Sequence, residues 1–503
     1  MRVFFKLRWT AILTVAGLIT SLALAQTPNK PATNSLVLPP ADKPVTHPHL
    51  KPTPADDKIA FLTARLLEDR HYSRQPFDDT VSSRFLDRYL AMYDPQRLHF
   101  LQSDLEEFEV YRTRLDDLVL RRYDATPAYV IFNRFFERLE QRVAYVEELL
   151  QHEKFTFDTD ERVALDRRQA PYPKNLAAAK KLWRDRLRYE YLQEKLNKMK
   201  PEEIVQTLSR RYHRQIRFFA NWDSGNVMET YLTALAHVYD PHSDYMGKQQ
   251  MDNFAMGMNL SLEGIGAELT SPDGYCTIRK LHPGPAMKSK QIKEGDRIVA
   301  VAQGDGEPVD IVDMNLDKAV QLIRGPKGTV VQLTIIPVDA PDPSVRKVVK
   351  LTREKISLEE QAAKAKVLEF PGENGEPLRI GVVDLSSFYS TMDLGGTDDR
   401  SDFKSCSADL ARLLKKLNEE KVNGLVLDLR RNGGGSLEEA IRITGFFIKE
   451  GPVVQVRDFD GRVSEKRDRD PRVLYAGPLV VLTSRVSASA SEIVAAALQD
   501  YGR

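Results

Sequence analysis

Cysteine is nearly missing from this chain: Cys276 and Cys406 are the only two in 503 residues. A scaffold built on disulfides is excluded, and two lone thiols are expected to stay unpaired. Net charge is missing too. Against 72 acidic residues stand 73 basic ones, leaving +1, so nothing favours nucleic acid or an anionic membrane surface as a partner. Histidine is scarce, with nine residues, and the His, Cys and acidic residues show no ligand spacing. Neither a metal nor any other cofactor is expected. Beyond the first 25 residues no stretch approaches the ~20 apolar residues a membrane-crossing helix needs. No internal repeat recurs at a fixed period.

What is present is ordinary globular material, 42% hydrophobic and 29% charged, in a chain too long for a single core. Arg2, Lys6 and Arg8 precede a mostly apolar run, and Ala23-Leu24-Ala25 before Gln26 has the small-x-small pattern of a cleavage site. Residues 1–25 therefore read as a secretory signal peptide. Residues 26–56, rich in Pro, Thr, Asn and Lys, read as a disordered lead-in. Across 57–245 the pattern is helical: Phe132, Phe135, Phe136, Leu139, Val143, Val146, Leu149 and Leu150 recur at spacings of three and four. Glycine and proline then punctuate short β-branched runs (266–269, 275–278, 297–301, 330–336) around a helix at 316–323, predicting a compact β-rich module over 246–355. From 356 to 503 strands at 378–383 and 424–429 alternate with helices at 406–418 and 437–447, the order of an α/β sheet. A loop is expected at 390–405. The fold class is multidomain α+β.

Three stretches carry chemistry. Ser487, Ser489 and Ser491 alternate with Ala488 and Ala490 between an apolar run at 478–483, read as a buried strand, and a helix beginning near Glu492. Backbone N–H groups at such a turn are unpaired and the helix dipole is positive, so an oxyanion is stabilised there. An α/β fold places a serine nucleophile at this point, and the residues alone leave all three serines open. The second stretch is Asp428-Leu429-Arg430-Arg431-Asn432-Gly433-Gly434-Gly435-Ser436. Its glycines let backbone approach a ligand closely; without a Walker lysine, an oxyanion is a better guest than a nucleotide. Gly433 or Gly434 would donate one N–H and Ala490 the other. The third is Leu262-Glu263-Gly264-Ile265-Gly266, whose successive N–H groups suit a terminal carboxylate.

The third stretch, with Pro283-Gly284-Pro285-Ala286, Glu294-Gly295-Asp296-Arg297, the helix at 316–323 and Arg324-Gly325-Pro326-Lys327-Gly328-Thr329, resembles a PDZ domain. Together with Tyr93-Asp94-Pro95-Gln96, Tyr239-Asp240-Pro241-His242-Ser243-Asp244, the Asn432 turn and the alternating serines, the chain resembles the tail-specific proteases of Gram-negative periplasm, also called carboxy-terminal processing peptidases. The resemblance implies an N-terminal helical domain, a PDZ-like domain and a ClpP/crotonase-like α/β core. It implies a serine endopeptidase of the Ser-Lys type that degrades or processes proteins from unstructured apolar carboxyl-terminal tails. Its location would be periplasmic, with peripheral association with the inner membrane and an adaptor lipoprotein among its partners. Ser489 would be the nucleophile, with Ser487 and Ser491 structural; Leu262, Glu263, Gly264, Ile265 and Gly266 would bind the tail carboxylate. The lysine base is expected about two dozen residues after the serine, near position ~514 and past Arg503. The core is therefore expected to be truncated before it, and the alternative reading is a non-catalytic protein that binds carboxyl-terminal peptides. Lys416, Lys421, Lys449 and Lys466 are expected to be solvated, and His242 structural.

Overall fold

The computed structural model describes residues 49–272, 274–342, 344–372, 375–391 and 404–503. The expected signal peptide, most of the lead-in and most of the 390–405 loop lie outside the described residues. Helix α1 (Pro54–Arg70) begins inside the segment read as lead-in, because Thr53 and Asp56 cap each other: the Asp56 N–H reaches Thr53 Oγ1 at 3.3 Å and the Thr53 N–H reaches the Asp56 carboxylate at 2.8 Å. Helices α2 (Asp79–Tyr93), α3 (Gln102–Phe108), α4 (Thr126–His152), α5 (Leu176–Leu196), α6 (Pro201–Ala220) and α7 (Ser224–Tyr239) complete the helical domain. The periodic stripe of α4 is its axis: Phe132, Phe135, Phe136, Leu139 and Val146 are fully enclosed, each such side chain contributing about 1.5–3 kcal/mol. Asp94 shows why its motif has that form. Its carboxylate accepts the N–H groups of Leu98, His99 and Phe100 at 2.7, 2.8 and 3.0 Å, satisfying three successive donors of the turn.

Helix α8 (Lys248–Asn259) leads into the β-rich module. Strands β1 (Ser261–Gly264), β2 (Ala267–Thr270), β3 (Cys276–Leu281), helix α9 (Pro285–Ser289), β4 (Arg297–Gln303), β5 (Val309–Asp310), α10 (Leu316–Ile323), β6 (Val330–Ile336), β7 (Lys347–Thr352) and β8 (Glu354–Ser357) follow. The main sheet has the order β2-β3-β4-β6-β7, with β5 on β4, so β2 is an edge among the described residues. β1 pairs with β8 instead. Ile278, Ile298, Val331, Leu333, Ile335 and Val349 fill the module's core, as alternation along half-buried strands dictates.

The last module adds β9 (Lys364–Phe370), β10 (Leu378–Asp384), α11 (Cys406–Glu419), β11 (Gly424–Asp428), α12 (Leu437–Gly445), β12 (Gly451–Arg457), β13 (Val463–Asp468), β14 (Leu479–Leu482) and α13 (Ala490–Asp500). Its sheet runs β14-β11-β10-β9, with β10, β11 and β14 parallel and β9 antiparallel. The strand read as buried is corrected: β14 lies at the sheet edge among the described residues and Val480 is 54% exposed. An unbroken apolar run does not tell an enclosed strand from a rim strand. Parallel β11 and β14 end side by side, Asp428 opposite Leu482, and this delivers both chemical turns to one end of the sheet.

Candidate active site

At that end the two turns are sewn together by short side chains. Ser484 Oγ donates to the Arg430 carbonyl at 2.6 Å, Ser487 Oγ to the Leu429 carbonyl at 2.8 Å and Ser491 Oγ to the Asn432 carbonyl at 2.9 Å. The Ala488 N–H reaches that same Asn432 carbonyl at 3.3 Å. Two of the three alternating hydroxyls are thus committed to backbone. Ser489 differs from both: it is exposed and sits at φ 53°, ψ −116° as the residue before α13. A non-glycine residue at such angles stores roughly 1–3 kcal/mol and persists only where its surroundings hold it. One holder is Glu492, whose carboxylate takes the Ser489 N–H at 2.7 Å.

The glycine turn presses directly on this residue. A Cβ on Gly434, which has φ +108°, would stand 2.7 Å from Ser489 Cβ and 2.9 Å from the Ala488 carbonyl oxygen. One on Gly435, at φ +140°, would overlap the Phe388 carbonyl. Of the two glycines expected as alternative donors, Gly434 has its N–H occupied: it donates to Asn432 Oδ1 at 2.8 Å. Gly433 is exposed, and a Cβ there would meet nothing within 4 Å. Asn432 is fully buried and gives its Nδ2 to the Leu385 carbonyl at 3.0 Å. It binds the ends of β10 and β11 to the serine turn, a role for which the one signal in sequence is an Asn ahead of three glycines. Ala490 opens α13, where helical geometry leaves the N–H without an intrahelical acceptor.

Other nucleophiles are poor. Burial pushes the Cys276 thiol up to about 11. Burial, with Glu439 beside it, drives the Cys406 thiol further still, and its Sγ donates to the Glu439 carboxylate at 3.3 Å. Both cysteines are free. The Asp428 carboxylate is held low by its hydrogen bond from Arg430, at 2.7 Å. His242 faces Asp240 at 3.1 Å and is almost wholly exposed, and Lys416 lies 3.8 Å from Glu420.

The expected carboxylate loop is part strand and part turn. Leu262, Glu263 and Gly264 lie in β1, opposite Ile356, Lys355 and Glu354, because β8 returns beside them. The turn proper is Ile265 and Gly266, the latter at φ +78° with a would-be Cβ 3.1 Å from the His282 carbonyl. The Ile265 and Gly266 carbonyls accept the N–H groups of Ala286 and His282 at 2.9 and 2.8 Å. Across a planar trans peptide the next N–H points the opposite way, so those of Gly266 and Ala267 aim outward, at the head of edge strand β2. Helix α10 flanks β2, making a groove with a donor-rich end. Arg324, just past α10, passes close to Gly264 and gives Nη1 to Asn253 Oδ1 at 3.0 Å.

Comparison with known proteins finds three family models in sequence: the tail specific protease N-terminal domain over 63–249, the PDZ domain over 253–336 and peptidase family S41 over 379–503. The "Tail-specific protease" of Haemophilus influenzae is 38% identical over 443 residues, which take in 88% of this chain and 60% of that protein. The "Carboxyl-terminal-processing peptidase 2, chloroplastic" of Arabidopsis thaliana is 29% identical over 286 residues, 55% of this chain and 50% of that one. The chain thus spans only half to three fifths of the length of these relatives. Among solved structures, the PDZ domain of a carboxy-terminal protease from Vibrio cholerae, in complex with peptide, is 50% identical and covers 20% of this chain and 100% of that chain, with a TM-score of 0.19.

Proposed function

We propose that this chain, which carries the N-terminal domain of tail-specific proteases, a PDZ domain and a stretch of peptidase family S41, is part of a serine endopeptidase that captures proteins by their free carboxyl-terminal tails and cuts them through an acyl-enzyme on Ser489. The tail adds to β2 as an extra strand, its carboxylate on the N–H groups of Gly266 and Ala267. At the serine turn, Ser489 Oγ attacks the scissile carbonyl while its proton passes to an uncharged amine. The resemblance supplies that amine from a lysine near position ~514, outside these residues. The Gly433 and Ala490 N–H groups hold the oxyanion. Collapse releases the new amino terminus, which takes the proton, and water then hydrolyses the ester.

The observation that carries this reading is the contrast among the serines: Ser487 and Ser491 have committed hydroxyls, while Ser489 is exposed on a strained turn against the glycine backbone. A periplasmic setting, apolar tails and an adaptor lipoprotein belong to the same proposal. Among the described residues no helix is long and apolar enough to cross a membrane. The test is cleavage of a tail-bearing substrate by the protein of the full reading frame. Ser489→Ala is expected to remove turnover by a factor on the order of 10⁴ or more, whereas Ser487→Ala retains a measurable rate. Equal cleavage by Ser489→Ala and the unaltered protein ends the reading.

A further inference from the structure

The helical domain reaches both rims of the groove. Near its end, α6 touches the turn that follows β2 through Arg214, whose Nη2 donates to the Pro272 carbonyl at 3.4 Å. Immediately after α6, the Asn221 carbonyl accepts Lys318 Nζ from α10, and Lys318 also pairs with Asp223 at 3.2 Å. Seven helical residues rise about 10 Å, so this stretch of α6 crosses from the strand wall to the helix wall. Between the two contacts lies Phe218. Positions 214 and 218 stand at i and i+4, on one face of the helix. Phe218 is 49% exposed, its ring edge-on to Phe219 and Trp222 at 5.1 and 6.0 Å between centroids.

We propose that Phe218 forms an upstream subsite of the tail groove, a third wall lent by the helical domain to the PDZ module. The proposal rests on the tail-capture reading above. Its occupant is the tail itself. With the carboxylate at Gly266, the tail runs antiparallel to β2, and each of its residues advances ~3.4 Å. Residues roughly four to six back from the terminus arrive at the end of β2 and pass beneath α6. An apolar side chain there covers the exposed half of the Phe218 ring. Short tails would use only the β2–α10 groove; longer ones would gain the third wall. On this reading, long extended tails with apolar residues upstream bind better than short ones.

The experiment measures fluorescence anisotropy of carboxyl-terminal peptides on the full-length protein in a Ser489→Ala background, which prevents cutting. Peptides of four and eight residues share an apolar terminus, and the longer carries leucine at the fifth and sixth positions from its end. The eight-residue peptide is expected to bind more tightly, and Phe218→Ala to weaken it about fivefold while leaving the four-residue peptide unchanged. Phe218→Asp should weaken the longer peptide further. Thermal melting of both variants should match the parent, since the ring is half in solvent. Unchanged length preference in Phe218→Ala overturns the proposal; so does equal weakening of both peptides. Failure of either peptide to bind, or equal binding when the terminus is amidated, removes the tail-capture reading itself, and the subsite with it.

Discussion

The serine turn and the tail groove are built by opposite means. Around Ser489, backbone is tied on every side: Asn432 locks one glycine and one strand end, Ser487 and Ser491 lock two carbonyls, and Glu492 locks the serine's own N–H. Around β2 the essential feature is an open edge among the described residues, with outward N–H groups and a helix standing alongside. The difference teaches where each function spends its order. Stabilising a developing charge requires donors fixed in advance. Adding a strand requires backbone left unpaired. Substitutions at the first should lower turnover without touching capture, and those at the second should do the reverse.

After loss of Ser489 itself, Gly434→Ala should have the largest effect. Its new methyl would fall 2.7 Å from Ser489 Cβ at a backbone φ of +108°, so the two turns must separate. Turnover is expected to drop on the order of 10²–10³-fold, the range seen when an oxyanion donor is lost, while tail affinity stays as it was. Steady-state kinetics beside peptide anisotropy would show this, and near-normal turnover would break the comparison. Asn432→Ala comes next. It removes the acceptor for Gly434 and the donor for Leu385 inside a buried site, costing about 1–3 kcal/mol for each group left unpaired. A lower denaturation midpoint and a fall in kcat at steady KM are expected. A change in KM alone would mean that Asn432 shapes binding instead.

On the groove side, Arg353 is the counterpart of Asn432. It is buried behind α10, donating to the Ile323 and Leu322 carbonyls at 2.9 and 3.1 Å, to Thr329 Oγ1 at 2.9 Å and to Gln303 Oε1 at 2.7 Å. Gly325 has no side chain because that guanidinium fills the space beside it. A cation at the last carbonyls also suits the helix dipole. Arg353→Met should weaken tail binding several-fold and lower stability by about 2 kcal/mol. Turnover of a short substrate without a tail should not change. Loss of that turnover would show the two regions to be one unit.

Much of this was legible in sequence, for identifiable reasons. The groove helix and the strand after it begin and end where their apolar spacing says, Leu316–Ile323 and Val330–Ile336, because both are short, strongly patterned and bounded by Gly and Pro. The β12–β13 hairpin has little signal in sequence: Val463–Asp468 carries four consecutive charged residues on a mostly exposed ribbon, which looks like loop. The strand at Ser261–Gly264 looks like loop in sequence because its partner lies far along the chain at Glu354–Ser357. At the site, composition brought out the serines and glycines but could not rank them. What ranks them is a backbone angle at Ser489 and the destination of each hydroxyl and N–H, and both depend on β11 and β14 lying side by side. The crossing of α6 over the groove is equally long-range, joining residues near 214 and 221 to 272 and 318.

The smallest expected effect sharpens the comparison most. Glu492 does two things at once: its carboxylate caps the Ser489 N–H at 2.7 Å, and it sets a negative charge in the first turn of the helix whose opening N–H is to hold an oxyanion. Capping fixes the strained serine; the charge would oppose the anion proposed to form there. Substitutions separate the two. Glu492→Ala removes both, so stability should fall by about 1 kcal/mol while turnover shifts only a few-fold. Glu492→Gln keeps an oxygen able to accept the same N–H and discards the charge. It should melt close to the parent, and its kcat should equal or exceed the parent's. If Gln instead lowers kcat as far as Ala does while melting normally, the charge itself assists the reaction, and the serine turn is more than a rigid cradle. Tail affinity is the control in both variants, and it should not move.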